Sequence, residues 1–402
     1  MKTKIFLLTI IVAIILPIHI YAVSNAAPIS LTIEPGSRSG GMGHAYVAQV
    51  DDAFAGWWNP GAMAFNRKTQ IAGIHSNWFG DVFDDMYYEY LGWNQYLDDV
   101  GNIGLNLTYM TFGEQQYTDE LGQEEGFFTS FDVAVGLTYA SQIAQKKGLG
   151  VTFKFIYSSL GPGQGNTDTS KGNGMSYAFD VGYKEKDLDF GQALVSPYNG
   201  FVAAYNGISG LFDGNRLRRS EFSKPIDRLD FGFNLQNVGP NIVYMDEEQS
   251  DPLPMTWRMG YSYRLFDSEY SKFTINTDMS KILANDDPLL KRIFTAWYDD
   301  FNNRTDDNGN EIDDFASLSN FINSIEVKEI IFGFGAEYIY LDLLSVRAGY
   351  VMDRAGEIEG VSIGAGVHKL FADQYKLGID FAMQPAGGLT DYNQTFSLKL
   401  DF

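Results

Sequence analysis

The sequence predicts an all-β fold: a transmembrane antiparallel β-barrel of about fourteen strands with an N-terminal plug segment in the lumen. Three observations carry this. An apolar leader opens the chain, apolar residues recur at every second position over strand-length segments, and a Gly-rich stretch between the two is neither helix nor strand.

Lys2 and Lys4 precede an apolar run from Ile5 to Leu16, then Pro17 and the small-residue end Ile20-Tyr21-Ala22. A charged start, a short apolar core and an A-x-A-like end predict a signal peptide over 1–22, with cleavage after Ala26 as an alternative. The run is shorter than the roughly 20 apolar residues of a membrane-spanning helix. The exported chain has no cysteine, which excludes a disulfide-stapled scaffold. Without the leader's two lysines, 27 basic residues face 51 acidic ones, a balance of −24. That excludes a nucleic-acid partner and fits solvated acidic loops, divalent cations or cationic partners.

Residues 23–69 form the predicted plug. "GSRSGGMGHAYVAQVDDAFAGWWNPGAMAF", Gly36 to Phe65, holds six glycines, a proline, Trp57-Trp58 and Asp51-Asp52. Its backbone is too interrupted for a lipid-facing strand. Irregular backbone at membrane depth survives only within protein or a wet cavity, so the barrel lumen is its predicted place. There the glycines allow close approach to the wall, and the two aspartates meet inward polar groups.

The barrel is predicted over 70–402. In "SFDVAVGLTYA", Phe131, Val133, Val135, Leu137 and Tyr139 alternate with Asp132, Ala134, Gly136 and Thr138. "TWRMGYSYRL" and "YKLGIDFAM" repeat the pattern, and strands place successive side chains on opposite faces. A soluble sandwich also alternates. The leader, the ten-residue length of the apolar faces and aromatics near strand ends (Tyr338 and Tyr340, Trp78 and Phe79) favour lipid.

Strands are predicted near 70–79, 85–94, 102–113, 129–141, 147–160, 174–186, 228–237, 255–265, 270–280, 327–341, 343–352, 359–369, 373–383 and 392–402. With a periplasmic N-terminus, connections after even strands are short turns, and those after odd strands are long outward loops, 281–326 the longest. The long stretch 187–227 breaks this parity; it is a periplasmic insertion or hides a strand pair near Val195–Tyr205. In "YNQTFSLKLDF", Phe396, Leu398, Leu400 and Phe402 share one face. This strand resembles the signal by which barrel-assembly machinery recognises outer-membrane proteins.

The Gly-rich segment also resembles a known family. Gly41, Met42, Gly43 and Ala45, the acidic pair Asp51-Asp52, then Asn59, Pro60 and Gly61 are similar to the opening pattern of the PorV/PorQ group of the FadL-like outer-membrane family. The family's usual Asn-Pro-Ala-Gly stands here as Asn59-Pro60-Gly61-Ala62. "LQNVGPNIVY", "DPLPMTWRMGYSYRL", "TDMSKIL" and "GAEYIYLDLLSVRAGY" extend the likeness over most of the mature chain, with 187–227 and 284–326 the poorest parts. The resemblance implies a non-enzymatic fourteen-strand barrel of the type IX secretion system. Its implied partners are the C-terminal signal domains of secreted cargo, a PorU-like peptidase and the translocon barrel, with outer-membrane lipid around it. Secretion itself is not legible in the residues and rests on this likeness.

Signs of catalysis are few. The mature histidines are His44, His75 and His368, and HExxH, GxSxG and Walker A patterns are lacking. "GGMGHA" lacks the spacing and preceding strand of a dinucleotide loop. His75 and Ser76 are adjacent, so in a strand they face opposite ways. No cofactor is expected. In "RTDDNGNEIDDF", Asp306, Asn308, Asn310, Asp313 and Asp314 are candidate calcium ligands without an EF-hand register, in what reads as a solvated loop. Leu289, Ile293, Trp297 and Phe301 follow helical spacing and predict a short amphipathic helix in an outward loop, a cap for the barrel mouth or a docking surface. Two functions remain open: a secretion shuttle, and a FadL-like transporter of hydrophobic small molecules with a mobile plug.

Overall fold

The computed structural model describes residues 26–78, 80, 83–118, 121, 123–161, 172–188, 228–244, 250–301, 305, 312–372, 374–387 and 390–402. The leader, the 189–227 stretch with its possible strand pair, Phe79, Asp306, Asn308 and Asn310 lie outside the described residues.

Seven strands come first: β1 (Gln70–Asn77), β2 (Met86–Leu97), β3 (Gly101–Thr118), β4 (Glu124–Ala144), β5 (Lys147–Ser159), β6 (Asn173–Glu185) and β7 (Leu229–Val238). Two-residue pieces, β8 (Ile242–Val243) and β9 (Ser250–Asp251), form a small hairpin that touches β6. Seven more follow: β10 (Thr256–Asp267), β11 (Ser271–Ile282), β12 (Ile331–Tyr340), β13 (Leu344–Asp353), β14 (Ile358–Phe371), β15 (Tyr375–Pro385) and β16 (Tyr392–Asp401). Apart from the small hairpin, neighbours in sequence pair antiparallel, with β7 next to β10. β1 pairs with both β2 and β16, from Gln70↔Asp401 to Ser76↔Thr395, so the sheet closes on itself. The result is a fourteen-strand antiparallel barrel with each strand within a few residues of its expected place. Closure leaves no open edge for lipid to face.

The two faces are sorted by the period of two. On β5, Val151, Phe153 and Phe155 point outward and are exposed, while Thr152, Lys154 and Ile156 point inward and are buried. Asp132, Asp180, Asp278, Glu337, Arg347 and Asp380 are all buried on inner faces. Apolar side chains thus lie outside and charges inside, as lipid demands. Tyr87, Tyr109, Phe131 and Tyr157 stand side by side on β2 to β5, with ring centroids 6.1, 6.0 and 5.9 Å apart, and form a belt of the kind found at membrane interfaces. No helix among the described residues is long and apolar enough to cross a membrane.

Ahead of β1, residues 26–65 fold into short turns and helices, including Ser37–Gly40, Ala55–Trp58 and Pro60–Met63. Met42, Tyr46, Val50, Phe54, Trp57, Trp58 and Met63 form an apolar core with Tyr88, Tyr90 and Met110 of the inner wall. Segment and wall therefore bury each other's apolar surface.

Candidate functional site

The N-terminal segment touches strands on every side of the ring. Ser37 donates its amide to Ser397 Oγ of β16 at 2.8 Å, and Gly43 donates its amide to Ser362 Oγ of β14 at 2.8 Å. The amides of Tyr46 and Val47 share Asp278 Oδ2 of β11, at 2.7 and 2.8 Å. On the opposite wall, Asn59 donates to the Tyr183 carbonyl of β6 at 3.0 Å, and Gln236 of β7 donates to the Trp57 carbonyl at 2.7 Å. These bonds satisfy backbone groups that the irregular chain cannot pair within itself.

Two glycine contacts explain the motif. Gly43 has φ +60°, and a Cβ there would lie 2.5 Å from the Tyr350 carbonyl oxygen. Across from it, a Cβ on Gly349 would lie 2.1 Å from the Gly43 nitrogen, so both chains must be bare for the approach. In the second half, Asn59 caps the short helix by accepting from the Gly61 amide at 3.0 Å, and Pro60 takes the first helical position. Gly61 sits against the wall, where a Cβ would lie 2.6 Å from the Gly182 carbonyl oxygen. The order Pro60-Gly61-Ala62 places glycine at that contact.

The acidic pair joins a buried charge network. Arg38 reaches Asp51 at 2.5 Å and also forks onto Glu337 of β12. Arg347 of β13 bridges Glu337 at 2.8 Å and Asp380 of β15 at 2.7 Å. Lys399 of β16 lies 2.9 Å from Asp380 and 3.5 Å from Asp52, which also accepts from the Tyr46 hydroxyl at 2.8 Å. Charges of both signs thus tie the segment to β12 and β16 directly and, through Arg347 and Asp380, to β13 and β15. Sequence reasoning found Asp51 and Asp52 and missed Arg38, Glu337, Arg347 and Asp380; charged residues at inward strand positions were the available signal.

Glu34 forms a second anchor, paired with Arg258 of β10 and with His44. Burial alone would raise its carboxyl, but the Arg258 guanidinium and His44 outweigh this and hold it down at about 2. Beside the segment remains a gap of about 90 Å³, with Asp51, Asp52, Gln70, Asn94 and Lys184 in its lining.

At one mouth of the barrel, the helix Leu289–Thr295 lies in the β11–β12 connection. Leu289, Ile293 and Trp297 pack on Met255, Leu283 and Ala296, and Trp297 meets Trp257 edge-on at 5.0 Å. Its other side is bare: Leu290, Phe294 and Tyr298 are 73, 72 and 59% exposed. Phe301 turns away from this core and stacks on Phe315 and Phe321 at 4.8 and 5.9 Å.

Of the calcium candidates, Asp313 and Asp314 lie within the described residues. Asp313 accepts from the Phe315 amide at 2.9 Å, and Asp314 is fully buried. Among the described residues, acidic oxygens of Asp299, Asp300 and Glu326 lie within 4.8 Å of one another. Glu326 is already engaged by Lys281 and by the Asp300 amide. On β1, His75 points outward, while Ser76 is buried and bonds to β16. Phe396, Leu398 and Phe402 lie exposed on the outer face with Leu400 half-buried, and Phe402 packs on Tyr375 at 6.1 Å.

Residues 19–204, which include the whole Gly-rich segment, match the family described as "Type IX secretion system protein PorV". This part of the chain is similar to the PorV family. With its closed barrel and apolar outer face, the chain resides in the outer membrane. Several solved outer-membrane proteins are similar to it at low identity. The toluene transporter TodX of P. putida is 9% identical, with 91% of this chain and 96% of that one covered at a TM-score of 0.45. The toluene transporter TbuX of Ralstonia pickettii is also 9% identical, with 91% and 97% covered at 0.45. A FadL homologue of Pseudomonas aeruginosa is 11% identical, with 91% and 98% covered at 0.40. No curated protein matches the chain.

Proposed function

We propose that this barrel binds the C-terminal signal domain of exported cargo and shuttles it from the translocon to the PorU attachment complex. In this reading the protein is not an enzyme, residues 23–69 are a fixed plug, and the β11–β12 connection faces outward to receive protein partners. The observation that carries it is the two-sided helix Leu289–Thr295, which one face anchors to the barrel while Leu290, Phe294 and Tyr298 stand bare. Exposed aromatic and aliphatic side chains on a rigid base are what protein docking uses.

The plug's dense charge network supports a stationary role. A transporter of hydrophobic small molecules would need the segment to move and an apolar path beside it, whereas the adjoining gap is small and carries Asp51, Asp52 and Lys184.

The test replaces Leu290, Phe294 and Tyr298 together by serine and captures the tagged barrel from gently solubilised native membranes. Co-purification of signal-domain cargo and the PorU-like peptidase should fall by about tenfold or more, corresponding to roughly 1.4 kcal/mol. Unchanged capture by a normally assembled variant would rule out this surface. A barrel that carries only a small hydrophobe would favour the transporter.

A further inference from the structure

A row of outward side chains in register crosses the barrel wall: Leu107 on β3, Leu91 on β2, Gly73 on β1, Leu398 on β16 and Ile379 on β15. Gly73 brings no side chain to this row. A depression of about 600 Å³ lies there, walled by the flanking leucines and by Phe396. This volume falls within the roughly 300–1,000 Å³ of small-molecule sites.

One row nearer the membrane surface, the wall turns polar. His75 Nδ1 meets Glu89 Oε1 at 2.7 Å, its Nε2 lies 2.9 Å from Asn77 Oδ1, and the His75 and Glu89 side chains are 53 and 42% exposed. This pair stands beside the aromatic belt: the His75 ring lies 5.7 Å from Tyr87, and Glu89 pairs across the sheet with Tyr109. Such belts mark the level of lipid headgroups. Charge at belt height with an apolar hollow just beneath it is the shape of one amphiphile, head up and chain down. The part-exposed Glu89 carboxylate offers a place to the cationic end of such a head.

We propose that the notch over Gly73 binds one phospholipid with a zwitterionic phosphoethanolamine head. An acyl chain lies over Gly73 between Leu91 and Leu398, and the ammonium approaches the Glu89 carboxylate. This goes beyond the secretory reading and does not rest on it.

Gly73→Leu is a clean probe. A Cβ at Gly73 would meet the Tyr90 carbonyl oxygen at 3.5 Å and Leu91 Cδ1 at 3.9 Å, ordinary contacts, so the side chain fills the notch without disturbing the strand. The delipidated full-length barrel is titrated in detergent with dioleoyl phosphatidylethanolamine or phosphatidylglycerol and followed by native mass spectrometry. Gel heat-modifiability confirms that each variant is folded. Wild type should form a one-lipid adduct with ethanolamine favoured over glycerol. Gly73→Leu should lower that adduct about tenfold, and Glu89→Gln should keep chain binding while erasing the head preference. Equal adducts in wild type and Gly73→Leu, or no head preference in wild type, would overturn the proposal. So would a photo-crosslinker at Leu91 that captures, in native membranes, a protein in place of a lipid.

Discussion

Arg38 grips Glu337 with both prongs of its guanidinium, Nε at 2.8 Å from one carboxylate oxygen and Nη2 at 2.7 Å from the other. The two residues lie 299 positions apart in the chain, and both are buried. A planar fork on a carboxylate fixes orientation as well as distance. It is the firmest polar tie between the N-terminal segment and the barrel wall.

Arg38→Ala leaves the buried Glu337 with Arg347 as its charged partner beside the Gln49 amide, and removes the Arg38 partner of Asp51. Removing one partner of a buried pair costs about 3–5 kcal/mol. The loss should fall on segment docking, since β12 keeps its backbone ladder. Protease cleavage within residues 26–65 should accelerate while the barrel stays heat-modifiable. Arg38→Lys keeps the charge without the fork and should rescue only part. Equal cleavage in wild type and Arg38→Ala would show that the fork does not hold the segment.

Gly349→Val tests the close approach from the wall side. The added Cβ would sit 2.1 Å from the Gly43 nitrogen and 2.2 Å from the Met42 carbonyl carbon, backbone atoms that cannot swing away. The segment should be displaced while the outer face of β13 is unaltered. In planar bilayers the wild type should be nearly silent and the variant should conduct ions. A folded but silent variant would mean that the segment does not by itself close the lumen.

Acid should loosen the same segment through Glu34. Its carboxyl is lowered from 4.5 to about 2 on folding, so the folded state favours the ionised form. The corresponding stability is fully present above about pH 4.5 and is lost as pH falls through about 2. Amide-exchange protection of residues 26–65 should therefore drop across that window, and Glu34→Gln should flatten the drop while lowering protection at pH 7. A drop of the same size in Glu34→Gln would assign the effect to other groups.

Strand positions were legible because lipid enforces the period of two on residues such as Val151, Phe153 and Phe155. The inner face of the helix Leu289–Thr295 was legible for a similar reason, since Leu289, Ile293 and Trp297 repeat at helical spacing. Phe301 departed from that pattern because the chain turns after Trp297 and its ring finds Phe315 and Phe321 instead. What could not be read was pairing. Nothing near Arg38 names Glu337, and nothing near His75 names Glu89; only strand register brings each pair together. The inward glycines Gly333, Gly335 and Gly349, set against Gly43 and Met42, were visible as residues but not as facing surfaces.

The bond from the Ser37 amide to Ser397 spans 360 residues. Ser397 belongs to the strand that meets β1 to close the ring, so this partner does not exist in place until the last strand has been laid down. Residues near the start of this segment are thus among the last to find their partners, and loop closure over such a span is slow. During that interval Trp57, Trp58 and Phe54 have no wall to cover them. Docking of the segment cannot be completed before the ring is shut, so the far end of the polypeptide sets when its beginning is finished.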